Sequence, residues 1–261
     1  MTIPETTQPA STATSPVEAI DRALVVLEAL ACGGAQGVQL ADLAAGLGLN
    51  KTTVHRSLAA LKFRGFASQD PASGAYLLGA AAVALGDRFL SEDNLPALLH
   101  PALLALSTAS GELVHLGVLS GTHIVYLDKV EPERSVRVYS AVGRRNPAAT
   151  TALGRALLAA RGTDRASLRG YTVGLADGVE ERAWHALEAA RDRGYAVEER
   201  ENEPDISCVA VPLFRSGQPV AAVSITAPAE RMSPERVGEL HSLIRSTLPD
   251  LLPGGLGLGA A

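Results

Sequence analysis

Asn50-Lys51-Thr52-Thr53-Val54-His55-Arg56-Ser57-Leu58, with Leu61 one turn further on, is the stretch whose reading decides the fold. Asn50 suits an N-cap, because its side-chain oxygen can accept a bond from an otherwise unpaired first-turn N–H. Val54, Leu58 and Leu61 recur at helical spacing and make one apolar face. Lys51, Thr52, Thr53, His55 and Arg56 occupy the opposite face, and every one can donate a hydrogen bond. From Leu43 to Phe66 the only charged side chains are Lys51, Arg56, Lys62 and Arg64, with no acid among them. Such a helix rests on a small core and turns its polar side toward a major groove. In a helix-turn-helix the second helix enters the groove by its N-terminal end, which places Lys51 to Arg56 against base edges and phosphates.

Working outward, Ser15-Pro16-Val17-Glu18 reads as a helix start, with Ser as cap and Pro at the first position. Val17, Ile20, Leu24, Leu27 and Leu30 form an apolar stripe, and Gly33-Gly34 ends that helix. Leu40 to Ala45 is a short helix, and Gly46-Leu47-Gly48-Leu49 is the tight turn before Asn50. On the far side, Gly65 to Gln69 and Ala75 to Leu77 flank Asp70-Pro71-Ala72-Ser73-Gly74, the pattern of a hairpin. A hairpin in this place is a wing. Residues 15–78 are therefore expected to be a winged helix-turn-helix that binds double-stranded DNA, and residues 1–14, rich in Thr, Ser, Pro and Ala, a disordered tail. A small helical module that binds protein instead is the competing reading of 15–78.

Residues 79–92 are Ala-rich and amphipathic, with Ala82, Val83, Leu85, Gly86, Phe89 and Leu90 on one broad side. They are expected to form a linker helix able to pair with its copy. A helical stretch from Asp93 to Ala109 contains Pro101, which must kink or restart it. Leu113–Leu119, Ile124–Val130 and Val136–Val142 read as strands, followed by a loop, Gly143 to Pro147. Thr150 or Thr151 caps a helix over 152–158, and Glu180 to Arg193 is a helix closed by Gly194. Tyr195–Glu198, Cys208–Phe214 and Pro219–Thr226 are further strands, and Ser233-Pro234-Glu235 starts a last helix ending near Thr247. Strands in groups with helices at the edges make 93–248 an α+β domain on a mostly antiparallel sheet. The Gly- and Leu-rich 249–261 is expected to fray as a flexible tail.

Composition narrows the function. The chain has 261 residues, 47 % hydrophobic and 20 % charged, as a globular protein does. No apolar run is long enough to span a bilayer, and Met1 to Ser15 lacks the features of a secretory signal. Cys32 and Cys208 stand far apart without a CxxC, which points to a reducing, cytoplasmic setting. Residues 15–78 carry five basic and five acidic side chains and 1–14 one acid, so −4 of the net −5 lies in 79–261. An acidic body argues against wholesale nucleic-acid binding, and any DNA contact must be local.

Four segments resemble the isocitrate-lyase-regulator (IclR) family of bacterial transcription regulators, in that family's order. They are Ala19-Ile20-Asp21-Arg22-Ala23-Leu24, Leu49 to Arg56, Gly143 to Leu158, and Gly194-Tyr195 through Thr226. The resemblance implies a winged helix, a linker helix and an effector domain with a GAF-like sheet. It also implies homodimers or homotetramers on palindromic operators and control by a small organic acid. The family's effector positions fall on Gly143, Arg144, Glu198, Cys208, Ser224 and Thr226. Glu198 stands where the family has Asp, Arg144 where a small residue is usual, and Ala148 where Leu commonly follows the loop proline.

Physical chemistry runs parallel to that likeness. Ser224 and Thr226 are two apart on a strand, so both hydroxyls face one side of the sheet. The N–H groups near Thr150, Thr151 and Ala152 form a helix N-terminus, which favours a carboxylate. Arg144 or Arg145 can add a bidentate contact. Equally, Cys208 suits a buried small apolar residue, and both arginines suit solvent. His115, His123 and His185 lack ligand spacing, so no metal is expected, nor any cofactor. An enzyme with Cys208 as nucleophile would need a base, and no histidine lies near it in sequence. No catalytic residue is assigned.

Overall fold

The computed structural model describes residues 15–91, 94–133 and 140–259, with backbone alone for 87–91. The chain divides into two compact units, Met1–Asp93 and Asn94–Ala261. The expected disordered tail, 1–14, lies outside the described residues.

The first unit is a winged helix-turn-helix. Helix α1 spans Glu18–Cys32, α2 Leu40–Gly46 and α3 Lys51–Phe63. Helix α1 starts later than its Ser-Pro signal suggests: Val17 is extended and supplies the first carbonyl, so Ser15 caps nothing. Its stripe is also divided. Val26 and Leu30 are buried, whereas Ile20 and Leu24 are more than half exposed. Between α2 and α3, Gly48 at φ +64° lets Leu49 N–H reach the Ala44 carbonyl, a helix stop that a left-handed residue permits. Val54 and Leu58 pack against Val26, Leu30, Leu43 and Ala44. Both are fully buried, which stabilises the unit by about 1.5–3 kcal/mol each.

The wing is β1 Ala67–Gln69 paired with β2 Tyr76–Leu78. Val38, before α2, exchanges two backbone hydrogen bonds with Tyr76 and ties the wing to the helices. Helix α4 covers Ala80–Ser91, with Val83 and Leu85 about 60 % exposed; the side chains of Phe89 and Leu90 lie outside the description.

The second unit is a three-layer sandwich. Helix α5, Leu95–Ser110, is continuous through Pro101, neither stopped nor restarted there. The Ala97 carbonyl that Pro101 cannot serve lies on the exposed side of α5, where water can satisfy it. Strands β3 Leu113–Ser120, β4 His123–Val130, β5 Arg145–Pro147, β6 Ala196–Glu199, β7 Ile206–Arg215 and β8 Gln218–Pro228 form an antiparallel sheet in the order β5-β4-β3-β8-β7-β6. The third strand expected over 136–142 falls largely outside the described residues, and 140–142 are not strand. The expected loop 143–147 instead ends in β5, because the edge of β4 at His123–Val125 offers open backbone groups to Arg145–Pro147.

Helices α5 and α9 (Pro234–Thr247) cover one face of the sheet. On the other lie α6 Ala152–Ala160, α7 Arg165–Thr172 and α8 Val179–Arg193. Helix α7 escaped the sequence reading, although Asp164 caps it by accepting from Ser167 N–H at 2.7 Å. The tail also departs from expectation. Leu256–Leu258 form β9 on the edge of β7, because Leu252, Leu256 and Leu258 find partners in the α5/α9 core.

Strand alternation assigns the faces. Val209, Val211 and Leu213 of β7 and Ala221, Val223 and Ile225 of β8 join the α5/α9 core. Cys208, Ser224 and Thr226 therefore face the α6/α8 side, as does His115, which lies opposite Ser224.

Candidate DNA-contact helix and ligand pocket

Helix α3 starts as its cap dictates: the Asn50 side chain accepts from Thr53 N–H at 2.8 Å. Its first turn has no acid. Lys51, Thr52, His55 and Arg56 are exposed and Thr53 is half-buried. Lys51 and Arg56 make no ion pair among the described residues. Lys62 is used differently. Its ammonium donates to Gln69 Oε1 at 3.0 Å and lies 5.7 Å from the centre of the Tyr76 ring, which locks α3 to the wing. The wing tip is held by Asp70, whose carboxylate accepts from Ser73 Oγ at 2.6 Å and Ala72 N–H at 3.0 Å. The Ser73 bond is the main reason that the Asp70 carboxyl sits below its ordinary range.

In the second unit, the N-terminus of α6 stands over the polar patch of the sheet. Thr151 caps α6 by accepting from Gly154 N–H at 3.1 Å. Gly154 is required: a Cβ there would stand 2.1 Å from the Ala148 carbonyl oxygen. Ala152 and Leu153 belong to the same first turn, where N–H groups lack an intrahelical acceptor. With Tyr126, Thr151, Glu198, Asn202, Cys208, Ser224 and Thr226 they line a cavity of about 20 Å³, room for one or two waters.

A hydrogen-bonded chain runs along the floor. His115 Nε2 lies 2.8 Å from Ser140 Oγ, and its Nδ1 lies 3.3 Å from Thr226 Oγ1. Thr226 Oγ1 is in turn 3.2 Å from Cys208 Sγ. The His115 and Tyr126 rings meet at 4.7 Å, and Asn146 Nδ2 donates to the Tyr126 hydroxyl at 3.2 Å. Burial pushes the His115 imidazole down to about 3, and Lys129 and Arg144 push the same way. It pushes the Tyr126 phenol up to about 12, with Cys208 adding to the rise. Part of Cys208 reaches the surface, yet its thiol is desolvated and its pKa is raised, further so by Glu198. At neutral pH these three groups are uncharged, and a thiol held in this state is a poor nucleophile.

Glu198 is the carboxyl of the cavity. Its Oε1 accepts from Glu201 N–H at 2.6 Å and Asn202 N–H at 3.1 Å. Burial still wins over those bonds and raises its pKa. Below it, Arg155 is almost fully buried: Nε donates to the Ala149 carbonyl at 2.9 Å, and Nη2 pairs with Glu201 at 2.8 Å.

Two family models match this chain. The IclR helix-turn-helix domain matches residues 19–71, and the C-terminal domain of the bacterial transcriptional regulator IclR matches 88–251. The chain belongs to the IclR family of bacterial transcriptional regulators. It is 32 % identical over 225 residues to the HTH-type transcriptional regulator XynR of Escherichia coli K12, covering 83 % of this chain and 88 % of that protein. Among solved structures, Thermotoga maritima IclR matches at a TM-score of 0.66 and 27 % identity, over 90 % of this chain and 97 % of that one. An IclR homologue from Microbacterium hydrocarbonoxydans, crystallised with 4-hydroxybenzoate, shares the fold at a TM-score of 0.69 and 21 % identity, over 89 % of this chain and 98 % of that one.

Within this IclR fold the six effector positions read from the sequence divide. Glu198, Cys208, Ser224 and Thr226 meet at one cavity. Gly143 and Arg144 are not part of its wall. Their backbones bond to Tyr126, Gly143 N–H to its carbonyl at 2.8 Å and the Arg144 carbonyl to its N–H at 3.1 Å. Gly143 needs its glycine, at φ +83°. The Arg144 guanidinium donates to Glu203 at 2.8 Å. Sequence reasoning missed Tyr126, Asn202 and the neutral His115. Strand alternation carried a signal for His115, because it stands opposite Ser224 in an antiparallel pair.

Proposed function

We propose that this IclR-family regulator binds a palindromic DNA operator as a homodimer or homotetramer in the cytoplasm, and that a small organic acid bound in residues 93–248 changes that binding. Residues 15–78 are its DNA-binding domain and 79–92 its linker helix. Lys51, Thr52, Thr53, His55 and Arg56 meet the major groove. The carrying observation is the exposed, acid-free start of α3, whose two cations are unpaired among the described residues. The exposed Ile20, Leu24, Val83 and Leu85 supply apolar surface for a second copy.

The cavity of about 20 Å³ widens to admit the effector: its carboxylate lies at the α6 N-terminus, against Ala152, Leu153 and Ser224, with Glu198, Cys208 and Thr226 reading the rest of the molecule. Arg144, beside Gly143, reaches the ligand by exchanging its Glu203 partner. The 4-hydroxybenzoate held by the Microbacterium homologue supports an acid as ligand class. The uncharged Cys208 thiol supports a regulator over a cysteine enzyme. An effector acts only through a difference in affinity between two arrangements of the oligomer.

Binding of the wild type and Arg56→Ala to duplexes selected from a random pool tests the DNA reading. The variant loses about 1–3 kcal/mol of specific binding. Unchanged affinity and unchanged sequence preference remove Arg56 from the readout. A thermal-shift screen of small organic acids, repeated on Ser224→Ala, tests the pocket, since a ligand of the folded state raises the melting temperature. An undiminished shift in Ser224→Ala moves the pocket elsewhere.

A further inference from the structure

A larger cavity, about 210 Å³, opens at the sheet edge where β7 loses its edge partner, with α6 and α8 on one side and Val211, Arg245 and Leu258 on the other. Strand β6 pairs with β7 from Ser207 to Ala210, and β9 pairs with it on the same edge from Leu213 to Arg215. Val211 and Pro212, between the two stretches, have no strand partner on that edge among the described residues. Small residues keep the gap open, with Ala156, Ala159 and Ala160 of α6 on one wall and Ala190 of α8 nearby. Phe214 and Leu258 complete an apolar interior.

The lining contains no acidic residue but two arginines, Arg191 and Arg245. Arg191 donates to the Thr163 carbonyl and stacks at 5.3 Å over Trp184. Arg245 donates to the Gly259 carbonyl at 3.0 Å. Neither has a carboxylate partner among the described residues. A backbone carbonyl satisfies one of an arginine's five donors and leaves its charge in place. Close by, the ring of His241 stacks on Tyr195, a lining residue, and its Nε2 is buried without a hydrogen-bond partner among the described residues.

We propose that this gap in the sheet edge is a second small-molecule site, for an organic anion with a compact apolar body such as an aromatic carboxylate. The alanine-walled interior takes the ring or alkyl body. Arg191 and Arg245 take the charged end, where charge-assisted bonds are the strong ones. The site shares no lining residue with the effector cavity, so it stands or falls separately.

Trp184 is the only tryptophan of the chain, and Arg191 rests on it, so a ligand that engages Arg191 alters its emission. The test is a benzoate titration of the full-length protein, read by Trp184 fluorescence and by calorimetry, with benzyl alcohol as the uncharged control. Benzoate is expected to give a saturable emission change that Ser224→Ala retains. Arg191→Gln and Arg245→Gln, read by calorimetry and with folding checked by circular dichroism, should each weaken this phase by about tenfold or more. Equal response to benzyl alcohol, full retention in both arginine variants, loss of all benzoate binding in Ser224→Ala, or no saturable signal each overturns the proposal.

Discussion

Arg144 Nη2 lies 2.8 Å from Glu203 Oε1, joining the segment before β5 to the loop between β6 and β7. That loop also provides Asn202 to the wall of the ligand cavity and the N–H groups that hold Glu198. Both partners are about 40 % exposed, so water screens the pair and it adds less than about 1 kcal/mol to stability. Its consequence lies in ligand binding. Glu203 competes with any incoming carboxylate for the same guanidinium. Glu203→Gln is therefore expected to leave the melting temperature nearly unchanged and to tighten binding of an acid effector by up to about fivefold. Calorimetry on the two proteins measures it, and weaker binding in the variant removes Arg144 from the ligand's path.

The cap of the recognition helix separates folding from DNA contact. Asn50→Ala removes the acceptor for Thr53 N–H and is expected to cost about 1 kcal/mol of stability. Asn50→Asp keeps the cap but puts a negative charge beside Lys51, so it should fold as well as the wild type and bind DNA more weakly. Urea unfolding and fluorescence anisotropy on labelled duplex give the two readouts. Full-strength DNA binding by Asn50→Asp contradicts the placement of this helix end against phosphates.

Glu198 predicts how ligand binding depends on pH. Burial already makes its carboxyl hold a proton more tightly than an ordinary one. A carboxylate lodged at the α6 N-terminus adds a like charge nearby and raises that pKa further. Binding then takes up protons, so affinity increases as pH falls, and Glu198→Gln abolishes the slope. Calorimetry in buffers of different ionisation enthalpy counts the protons; proton release would refute the arrangement.

His115 predicts how folding depends on pH. Its folded pKa, about 3, lies below the ordinary 6.5. A base depressed in this way costs nothing above its unfolded pKa and destabilises the fold as pH falls below it, with the full cost reached near the folded pKa. At about pH 5 the penalty is about 2 kcal/mol. The melting temperature should drop between neutral pH and pH 5, and less so in His115→Gln. Parallel curves for the two proteins would assign the acid sensitivity to other groups.

Much of this molecule is legible in the chain, because much of it is local. Asn50, Thr151 and Ser233 each cap a helix by accepting from an N–H three residues on. Ser224 and Thr226 share a face because strands alternate. Helix α7 had an equally local signal in Asp164, overlooked among loop residues. The 249–261 tail carries no such local signal, because Leu256 and Leu258 find partners only against an edge of β7 that the composition does not display.

What the sequence alone determined is most of the elements and the faces they present: a capped, acid-free helix on an apolar base, and strands whose alternation sorts core from pocket. These depend on interactions within about one helical turn or two strand positions. Only the tertiary structure decided partners and protonation. It turned Arg144 toward Glu203, 59 residues away, set Thr226 beside His115 across 111 residues, and desolvated His115 and Cys208. Contacts at that separation follow from the packing of the whole domain, and so does the burial that sets a group's charge.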